Sequence, residues 1–544
     1  MQRAPLFILI CLLPLLSTFA QDWKTYPYVP EGSVFSFPED EGRHPDEAIE
    51  WWYIAGKLEG AETGTRYNFM LTYFAYPQFG FDGFRILNLS NETTGEFYDN
   101  TQPVIFSEMG MDHLAIQATT LAGETEFWTT KKDSAGNLIP FEYDIYAIGQ
   151  DGSIELSCLA LKPPIFLGDS GLFDQGAESY TYYYSQTKNE ISGTITFKDV
   201  NEQVTGTAWI DRQFGAFNQA NDERYEWLYV QLSNGMDLNI WNIFTGDNFL
   251  PDTFTFKHFT VSDEEANHYT STDFELERLG YHFMPDSAMC YAQKWRLTSP
   301  VNQLDLVIST LQNNSEVQLP FRFFEGPTAV SGTVNGVEVT GVGFAELLRS
   351  YEHPVLSMNN PADTTWNGTE PISWHLDNPD DGRPLRYDLE YSTNQGESYQ
   401  LVQAGLDDTI CIWKDPPLTQ GDTCWFRVKG YSIDTTLMAH SDISGAFVYV
   451  SESTSTAQNV GEAPALPFIL FPNPSGKFVN ILFKEPPSPF RYQVFDLAGR
   501  MLFGSGEIIE REITLPTDAL RPGFYVIHVW LGQVSYAAQF QVSE

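Results

Sequence analysis

Glu50-Trp51-Trp52-Tyr53-Ile54-Ala55-Gly56-Lys57-Leu58 reads as a β-strand, and its adjacent tryptophans decide what kind of strand it is. Side chains alternate along a strand with period two, so Trp51 and Trp52 point to opposite faces. Both faces carry large aromatics, and one also carries the acid Glu50. Such a strand is no half-wet edge. It predicts a wall with an apolar interior and a packed exterior, as in a closed barrel. The punctuation elsewhere is that of an all-β chain. Asn234-Gly235 and Asn335-Gly336 each lie between two alternating apolar runs, a strong two-residue hairpin signal, and Asp151-Gly152 is a third. Long helical periodicity is absent, as are a nucleotide-binding glycine loop, a GxSxG elbow and an HExxH helix.

The 30 basic and 72 acidic residues give a formal net charge of -42, which argues against nucleic acid and anionic membrane surfaces as partners. The chain is not thereby disordered, because hydrophobic residues make up 42% and aromatics 15%, enough for real cores. Arg3, an apolar run over residues 6–16 and Ser17-Thr18-Phe19-Ala20 read as a secretory signal peptide over residues 1–20. The run is too short for a membrane anchor and Pro14 interrupts it. Cys11 follows Ile10 rather than a small residue, which argues against a lipoprotein site. No later run is long enough for a transmembrane helix. Of the remaining cysteines, Cys411 and Cys424 are close enough in sequence to pair in an exported protein, while Cys158 and Cys290 read as buried thiols. No cysteine or histidine spacing suggests a metal site, and no cofactor is expected.

Composition shifts divide the chain into a large β region over 21–350, a β module over 351–450, a Ser/Thr/Ala/Pro-rich linker over 451–466 and a last β module over 467–544. In the middle module, Pro371-Ile372-Ser373-Trp374, the alternating strand from Leu385 to Ser392 and Cys424-Trp425-Phe426-Arg427-Val428-Lys429-Gly430 resemble a fibronectin type III sandwich. Such modules are spacers or adhesion units, and no catalysis is placed there. The last module carries Phe471-Pro472-Asn473-Pro474, Asp496-Leu497-Ala498-Gly499-Arg500 and Arg521-Pro522-Gly523-Phe524-Tyr525-Val526-Ile527-His528-Val529. These resemble the C-terminal sorting domain of the type IX secretion system. The resemblance implies that system's machinery as a partner, and release from the cell or attachment to its outer surface.

The large region contains Phe37-Pro38-Glu39-Asp40-Glu41-Gly42-Arg43-His44-Pro45 before the opening strand, then Leu161-Lys162-Pro163-Pro164 and Tyr182-Tyr183-Tyr184-Ser185. Gly206-Thr207-Ala208-Trp209-Ile210-Asp211-Arg212-Gln213-Phe214-Gly215, Phe324-Glu325-Gly326 and Gly341-Val342-Gly343-Phe344-Ala345-Glu346 follow. In this order the motifs resemble the AttH/CrtC family, the lipocalin-like proteins that include carotenoid 1,2-hydratases. The resemblance implies two lipocalin-like β-barrels side by side, with a ligand site among their aromatic and polar groups. It also aligns the hydratase aspartate with Asp211, puts Trp209 where the hydratases have tyrosine, and brings Tyr182 and Tyr184 near their upstream His and Trp.

The residues support an acid at Asp211 independently. Trp209, Asp211 and Gln213 share one strand face. A carboxyl beside a tryptophan in an apolar barrel loses hydration, its pKa rises, and it can stay protonated. Such an acid can protonate an alkene while aromatic faces stabilise the cation. Arg212 points to the opposite face, though its charge favours the ionised form. Asp211 is therefore the candidate acid and Trp209 its partner. Glu50, Trp51, Trp52, Tyr53, Tyr182, Tyr184, Gln213, Trp227 and Trp241 are candidate ligand contacts. Each has a plainer reading: the aromatics as core and wall, Asp211-Arg212 as an ion pair or turn element, Glu50 as an acceptor closing a barrel end, and His44 as a loop histidine. The expected function is an exported protein that binds a hydrophobic small molecule (an isoprenoid, polyene or lipid), with acid-promoted hydration or cyclisation as its possible chemistry. The competing expectation is a non-enzymatic secreted or surface binding and adhesion protein.

Overall fold

In the computed structural model, the two-faced strand is one stave of a closed barrel. The structure describes residues 23–542, except 79, 287, 319–320, 353, 360–364, 369–370, 377–384, 415, 434, 451–466, 472–474, 476, 485–488, 497–499, 518–519 and 532–533. The expected signal peptide, the linker, Pro472-Asn473-Pro474 and Leu497-Ala498-Gly499 thus lie outside the described residues. The chain forms two compact units, the first running through residue 353. Among the described residues the only helical elements are two three-residue turns, Glu39–Glu41 and Gln219–Asn221, and no helix is long and apolar enough to cross a membrane.

In the first unit, β1 (Ile49–Gly60), β2 (Arg66–Gln78), β3 (Phe81–Asn91), β4 (Glu96–Met109), β5 (Ala115–Thr120), β6 (Thr125–Lys132), β7 (Leu138–Ile148) and β8 (Gly152–Ala160) run in sequence as an antiparallel meander. Two short strands follow, β9 (Ile165–Phe166) and β10 (Leu172–Asp174), and then two long ones, β11 (Tyr180–Phe197) and β12 (Val200–Ala216). β12 pairs with β1, and the second half of β11 pairs with β8, which closes a ten-stranded barrel. A bulge between Gln186 and Asn189 lets β11 do this. Its first half leaves the barrel to pair with β9 and β10, while its second half completes the wall.

A second antiparallel sheet comprises β13 (Arg224–Leu232), β14 (Asp237–Phe244), β15 (Lys257–Ser262), β16 (His268–Ser271), β17 (Glu275–Phe283), β18 (Cys290–Ser299), β19 (Leu304–Thr310), β20 (Glu316–Val317), β21 (Phe323–Val334) and β22 (Val337–Leu347). It is a half-barrel rather than a second closed barrel, with β16 and β17 as its two edges. Both Asn-Gly dipeptides lie at hairpin turns, but only Asn335-Gly336 is the expected two-residue loop: Leu232 pairs with Met236, so Asn234-Gly235 sits in a three-residue loop, and the third turn is Gln150-Asp151, with Gly152 already on β8. At Asn335-Gly336 both residues have positive φ (52° and 74°), the conformation a two-residue hairpin needs and one that asparagine and glycine tolerate best.

Trp52, Ile54 and Leu58 point into the barrel core with Leu71, Leu87, Trp128, Ile145, Ala208 and Ile210. Tyr53 and Ala55 point outward into a second apolar layer, where the wall formed by β1, β2, β3, β11 and β12 meets β13, β14, β21 and β22 of the half-barrel. Both faces of β1 are therefore covered, as its two tryptophans require.

In the second unit, two sheets share one core around Trp366, Trp374, Trp413 and Phe426. One is formed by Leu356–Asn359, Ile372–Leu376 and Ile410–Cys411, and the other is built about Thr423–Tyr431 and Arg386–Ser392. The last segment folds as three- and four-stranded sheets over a core including Val479, Ile481, Val494, Ile527 and Phe540. Cys411 and Cys424 are both buried, but they are separate thiols and no disulfide joins them.

Candidate active site

The layer between barrel and half-barrel holds the candidate acid. On β12, Trp209, Asp211 and Gln213 share the outward face, while Ala208, Ile210 and Arg212 face the barrel interior or its end. Asp211 therefore loses its water outside the first barrel, against the second sheet. This corrects the expectation of a site inside a barrel: period-two alternation separates the faces of a strand without saying which one is enclosed.

Asp211 is 3% exposed. The indole N–H of Trp209 donates to its Oδ1 at 2.6 Å, the Ser185 hydroxyl donates to the same oxygen, and the Tyr183 hydroxyl donates to Oδ2 at 2.6 Å. The cross-strand register explains the set, since Ser185 lies opposite Asp211 and Tyr183 opposite Gln213. Burial pushes the Asp211 carboxyl up to about 7, although these three donors pull the other way; the charge of Glu346 adds to the rise. The acid is thus poised near neutrality, where a general acid is most useful. Arg212 acts elsewhere. It pairs with Glu50, donates to the Gly42 carbonyl, and lies 3.8 Å from the ring centre of Trp52, its cross-strand neighbour.

Across the layer stands a feature that sequence reading missed. Glu325 and Glu346 are cross-strand partners on β21 and β22, and their carboxyl groups hydrogen-bond one another. Glu325 accepts from the Tyr53 hydroxyl at 2.9 Å, and Glu346 accepts from the Tyr225 hydroxyl. Burial, and for Glu325 the charge of Glu346 as well, raises both groups above the usual carboxylate range. Two carboxyls in contact away from water cannot both ionise, so the pair keeps a proton. Two more bonds tie the sheets together: Asn239 Nδ2 donates to the Tyr183 hydroxyl at 2.9 Å, and the Tyr229 hydroxyl donates to the Ala55 carbonyl at 3.1 Å.

Aromatic rings fill the space between the acids. Tyr229 stacks on Trp209 with centroids 4.7 Å apart, Trp227 meets Tyr53 edge to face at 5.3 Å, and Trp241 lies 6.1 Å from Trp227. A small cavity of about 10 Å³ adjoins Tyr229 and Phe344. Trp51, Phe74, Phe84 and Tyr225 are only partly buried and pack at the margin of this layer. Cross-strand from Trp241 stands His258, buried against Phe173 and Phe254. Neither of its ring nitrogens has a protein partner, and burial pushes its pKa down to about 3.

The expected residues divide between three places. Trp51, Tyr53, Trp209, Asp211, Gln213, Trp227 and Trp241 line the layer, and Gln213 donates to Gln175 at 2.6 Å. Trp52 faces the barrel core and donates to the Glu41 carbonyl at 2.9 Å. Tyr182 and Tyr184 belong to an aromatic cluster on the other side of the wall, Tyr182 stacked on Phe214 and Tyr184 packed against Phe35 and Phe37. The tyrosine that reaches Asp211 is Tyr183. Glu50 accepts the backbone N–H of His44, and Arg43 is 3.5 Å away. Burial alone would raise its pKa, but Arg212 and His44 hold it at about 2. This is the geometry of a barrel-end closure.

Comparison with known proteins agrees with the architecture. Residues 28–351 match the AttH-like family, and residues 469–543 match the secretion system C-terminal sorting domain. A putative AttH from Nitrosomonas europaea is 21% identical, covering 60% of this chain and 99% of its own, with a TM-score of 0.50. Kievitone hydratase from Nectria haematococca is 15% identical over 60% of this chain and 98% of its own, with a TM-score of 0.46. CghA is 10% identical over 60% and 96%, with a TM-score of 0.39. No curated protein matches the chain. The match over most of the first unit, on a closed barrel joined to a half-barrel through an acid-bearing aromatic layer, means that the chain belongs to the AttH-like family and ends in a secretion-system sorting domain.

Proposed function

We propose that this exported protein binds a hydrophobic small molecule, such as an isoprenoid, polyene or lipid, between its barrel and half-barrel, and that Asp211 acts there as an acid in hydration or cyclisation. The observation that carries this reading is the Asp211 carboxyl itself, enclosed by Trp209, Tyr183 and Ser185 and raised to about 7. In the proposed step, the Asp211 O–H gives its proton to one alkene carbon and the π pair becomes the new C–H bond. Trp227, Trp241 and Tyr229 face the resulting cation. Water, or a second double bond of the substrate, supplies the electron pair that quenches it, and a proton returns to the carboxylate. The hydratase among the structural relatives is compatible with such chemistry. The ligand would enter where the layer is only partly buried, beside Trp51, Phe74 and Phe84.

Two measurements test the proposal. Mass spectrometry of the purified chain should find a co-purifying lipid, and polyene probes should bind; failure of both sinks the ligand reading. With a substrate in hand, Asp211→Asn should abolish product while retaining binding, and an unchanged rate removes Asp211 as the acid. The second reading is a non-enzymatic binding or adhesion protein, with residues 351–450 as a fibronectin type III-like spacer. It is favoured by the closure of the layer, where Trp209 is 0% and Tyr229 2% exposed. An N-terminal signal peptide fits either reading.

A further inference from the structure

A strand that is apolar on both faces needs both of them covered, as β1 is in the first unit. The strand Gly523–Leu531 of the sorting domain is also apolar on both faces, but one of them stays partly open to solvent. Tyr525, Ile527 and Val529 lie in the core of that module. Phe524, Val526, His528 and Trp530 alternate with them on the opposite face of the four-stranded sheet, and Phe524 is 47% exposed. Cross-strand register extends the patch: Phe495 stands opposite Val526, Arg491 opposite Trp530, and Met501, 54% exposed, opposite Phe495. The rings form one row, with His528 5.4 Å from Phe495 and 5.6 Å from Trp530, and the Arg491 guanidinium 5.0 Å from the Trp530 ring centre.

The middle module shows what an ordinary outer face is in this chain. Its strands Arg386–Ser392 and Thr423–Tyr431 set Asp388 and Glu390 opposite Lys429 and Arg427, and Glu390 is ion-paired with both cations. An antiparallel sheet with water on one side alternates apolar-in and polar-out in this way. The sorting domain departs from that pattern. Among the described residues its open face has no carboxylate; Arg491 is its cation, and the edge strand Val534–Val542 adds Ala537, Gln539 and Gln541. The charge of the module departs too. Residues 467–544 hold seven acidic and six basic side chains, whereas the whole chain holds 72 and 30, so its charge of -42 is carried almost wholly outside the sorting domain. Contiguous exposed apolar surface of this kind marks a site of association.

We propose that this face is where the secretion machinery grips the sorting domain, through an apolar protein surface that sets carboxylates opposite Arg491. Aromatic and arginine side chains are the usual anchors of protein interfaces, whereas aspartate and glutamate are depleted at their centres. Phe524, Phe495 and Trp530 supply the apolar anchors. Arg491, already stacked on Trp530, supplies a planar fork that fits a carboxylate. A face without acids also suits a cargo of this charge, because a partner bearing carboxylates meets no local repulsion there. The match over residues 469–543 identifies a sorting domain without saying which face is read, and the two-faced strand selects one.

The test is export of the full chain from cells with a working type IX secretion system, scored as the share of the chain that leaves the cell or reaches its outer surface. Phe524→Glu puts a carboxylate on the face, and Arg491→Glu reverses its charge without touching the core. Each should lower export roughly tenfold or more. Phe478→Glu, on the outer side of the module's three-stranded sheet, should leave export unchanged. Resistance of the C-terminal module to limited proteolysis checks that each variant folds; should Phe524→Glu fail to fold, Arg491→Glu and the milder Val526→Ser decide. Folded face variants exported like the parent overturn the inference, and so does an equal loss from Phe478→Glu. Sedimentation of the purified chain covers the other occupant, a second copy of the chain: a dimer that Phe524→Glu splits while export stays normal also overturns it.

Discussion

Replacing Asp211 with asparagine should make the first unit less sensitive to pH, and the structure sets the size of the effect. The carboxyl rises from an ordinary 3.8 to about 7 because it is buried, so in the folded state it holds its proton over a range where the unfolded chain has lost it. The unfolded state then binds fewer protons, and stability falls as pH rises through that window. At 1.36 kcal/mol per unit the full effect is about 4 kcal/mol. About 1.7 kcal/mol of this has already been lost at pH 5, since the unfolded carboxyl ionises below that, leaving about 2.5 kcal/mol between pH 5 and pH 8. Asparagine does not ionise. Its oxygen can still accept from Trp209 and Ser185, whereas its amide meets the Tyr183 hydroxyl as a donor and leaves that hydroxyl's proton without an acceptor, a cost of about 1–3 kcal/mol at every pH. The assay is urea unfolding followed by tryptophan fluorescence at pH 5, 6, 7 and 8. The curve of stability against pH for Asp211→Asn should be shallower than the parent's by about 2.5 kcal/mol over this range. Parallel curves would mean that Asp211 titrates normally, and the acid argument would fail with it.

Three other outcomes follow from the same contacts. Arg212→Met leaves Glu50 charged and buried without its partner and should cost about 3–5 kcal/mol, most of which Glu50→Gln added to it should restore; a single variant as stable as the parent in urea refutes the pairing. Gly343→Ala would place a Cβ 1.9 Å from the Tyr229 carbonyl oxygen, where β22 meets β13 at the layer, and should lower stability by roughly 2–4 kcal/mol; an unchanged melting temperature contradicts that strand contact. Cys411 and Cys424 are buried thiols, with Cys424 raised to about 12 by burial, so thiol reagents should label them only after denaturation; rapid labelling, or an intact mass two hydrogens short, refutes this.

The two-faced nature of β1 was legible because alternation is a local property, and Trp51 and Trp52 show both faces at once. The shared face of Trp209, Asp211 and Gln213 was legible for the same reason. What alternation cannot supply is register between strands. The resemblance points to Tyr182 and Tyr184, yet the pairing of Ser185 with Asp211 puts the odd-numbered residues of β11 ahead of its bulge, Tyr183 among them, on the acid's face. Register also hid the pair of glutamates, although here a usable signal existed. The Asn335-Gly336 turn pairs Val334 with Val337, and equal steps back along each strand bring Glu325 opposite Glu346. A two-residue hairpin fixes register, so this contact could have been counted from the sequence. His258 carried no such signal, since its burial depends on β15 packing beside Trp241 and against Phe173.

The contrast between the two sides of the barrel wall is the stronger argument for where function lies. On the inner side and at its end, Glu126 and Glu50 are neutralised by arginine, whereas Glu41, equally buried, is held by the hydroxyls of Tyr26 and Tyr143 and rises to about 7. Glu126 accepts two bonds from Arg85 and one from Tyr73, and Glu50 is held at about 2 by Arg212 and His44. Held in this way, Glu50 has no proton to give at neutral pH. On the outer side, less than one strand's thickness away, Asp211 has three donors and no cation, and Glu325 and Glu346 have tyrosines and each other. Stability alone does not require this arrangement, because apolar residues of similar volume would fill the layer at lower cost. Acids that hold a proton beside aromatic faces can donate it and then face the positive charge that results. What sets the outer side apart from Glu41 is that three carboxyls without a cation share one layer there, while Glu41 stands alone within the field of Arg212.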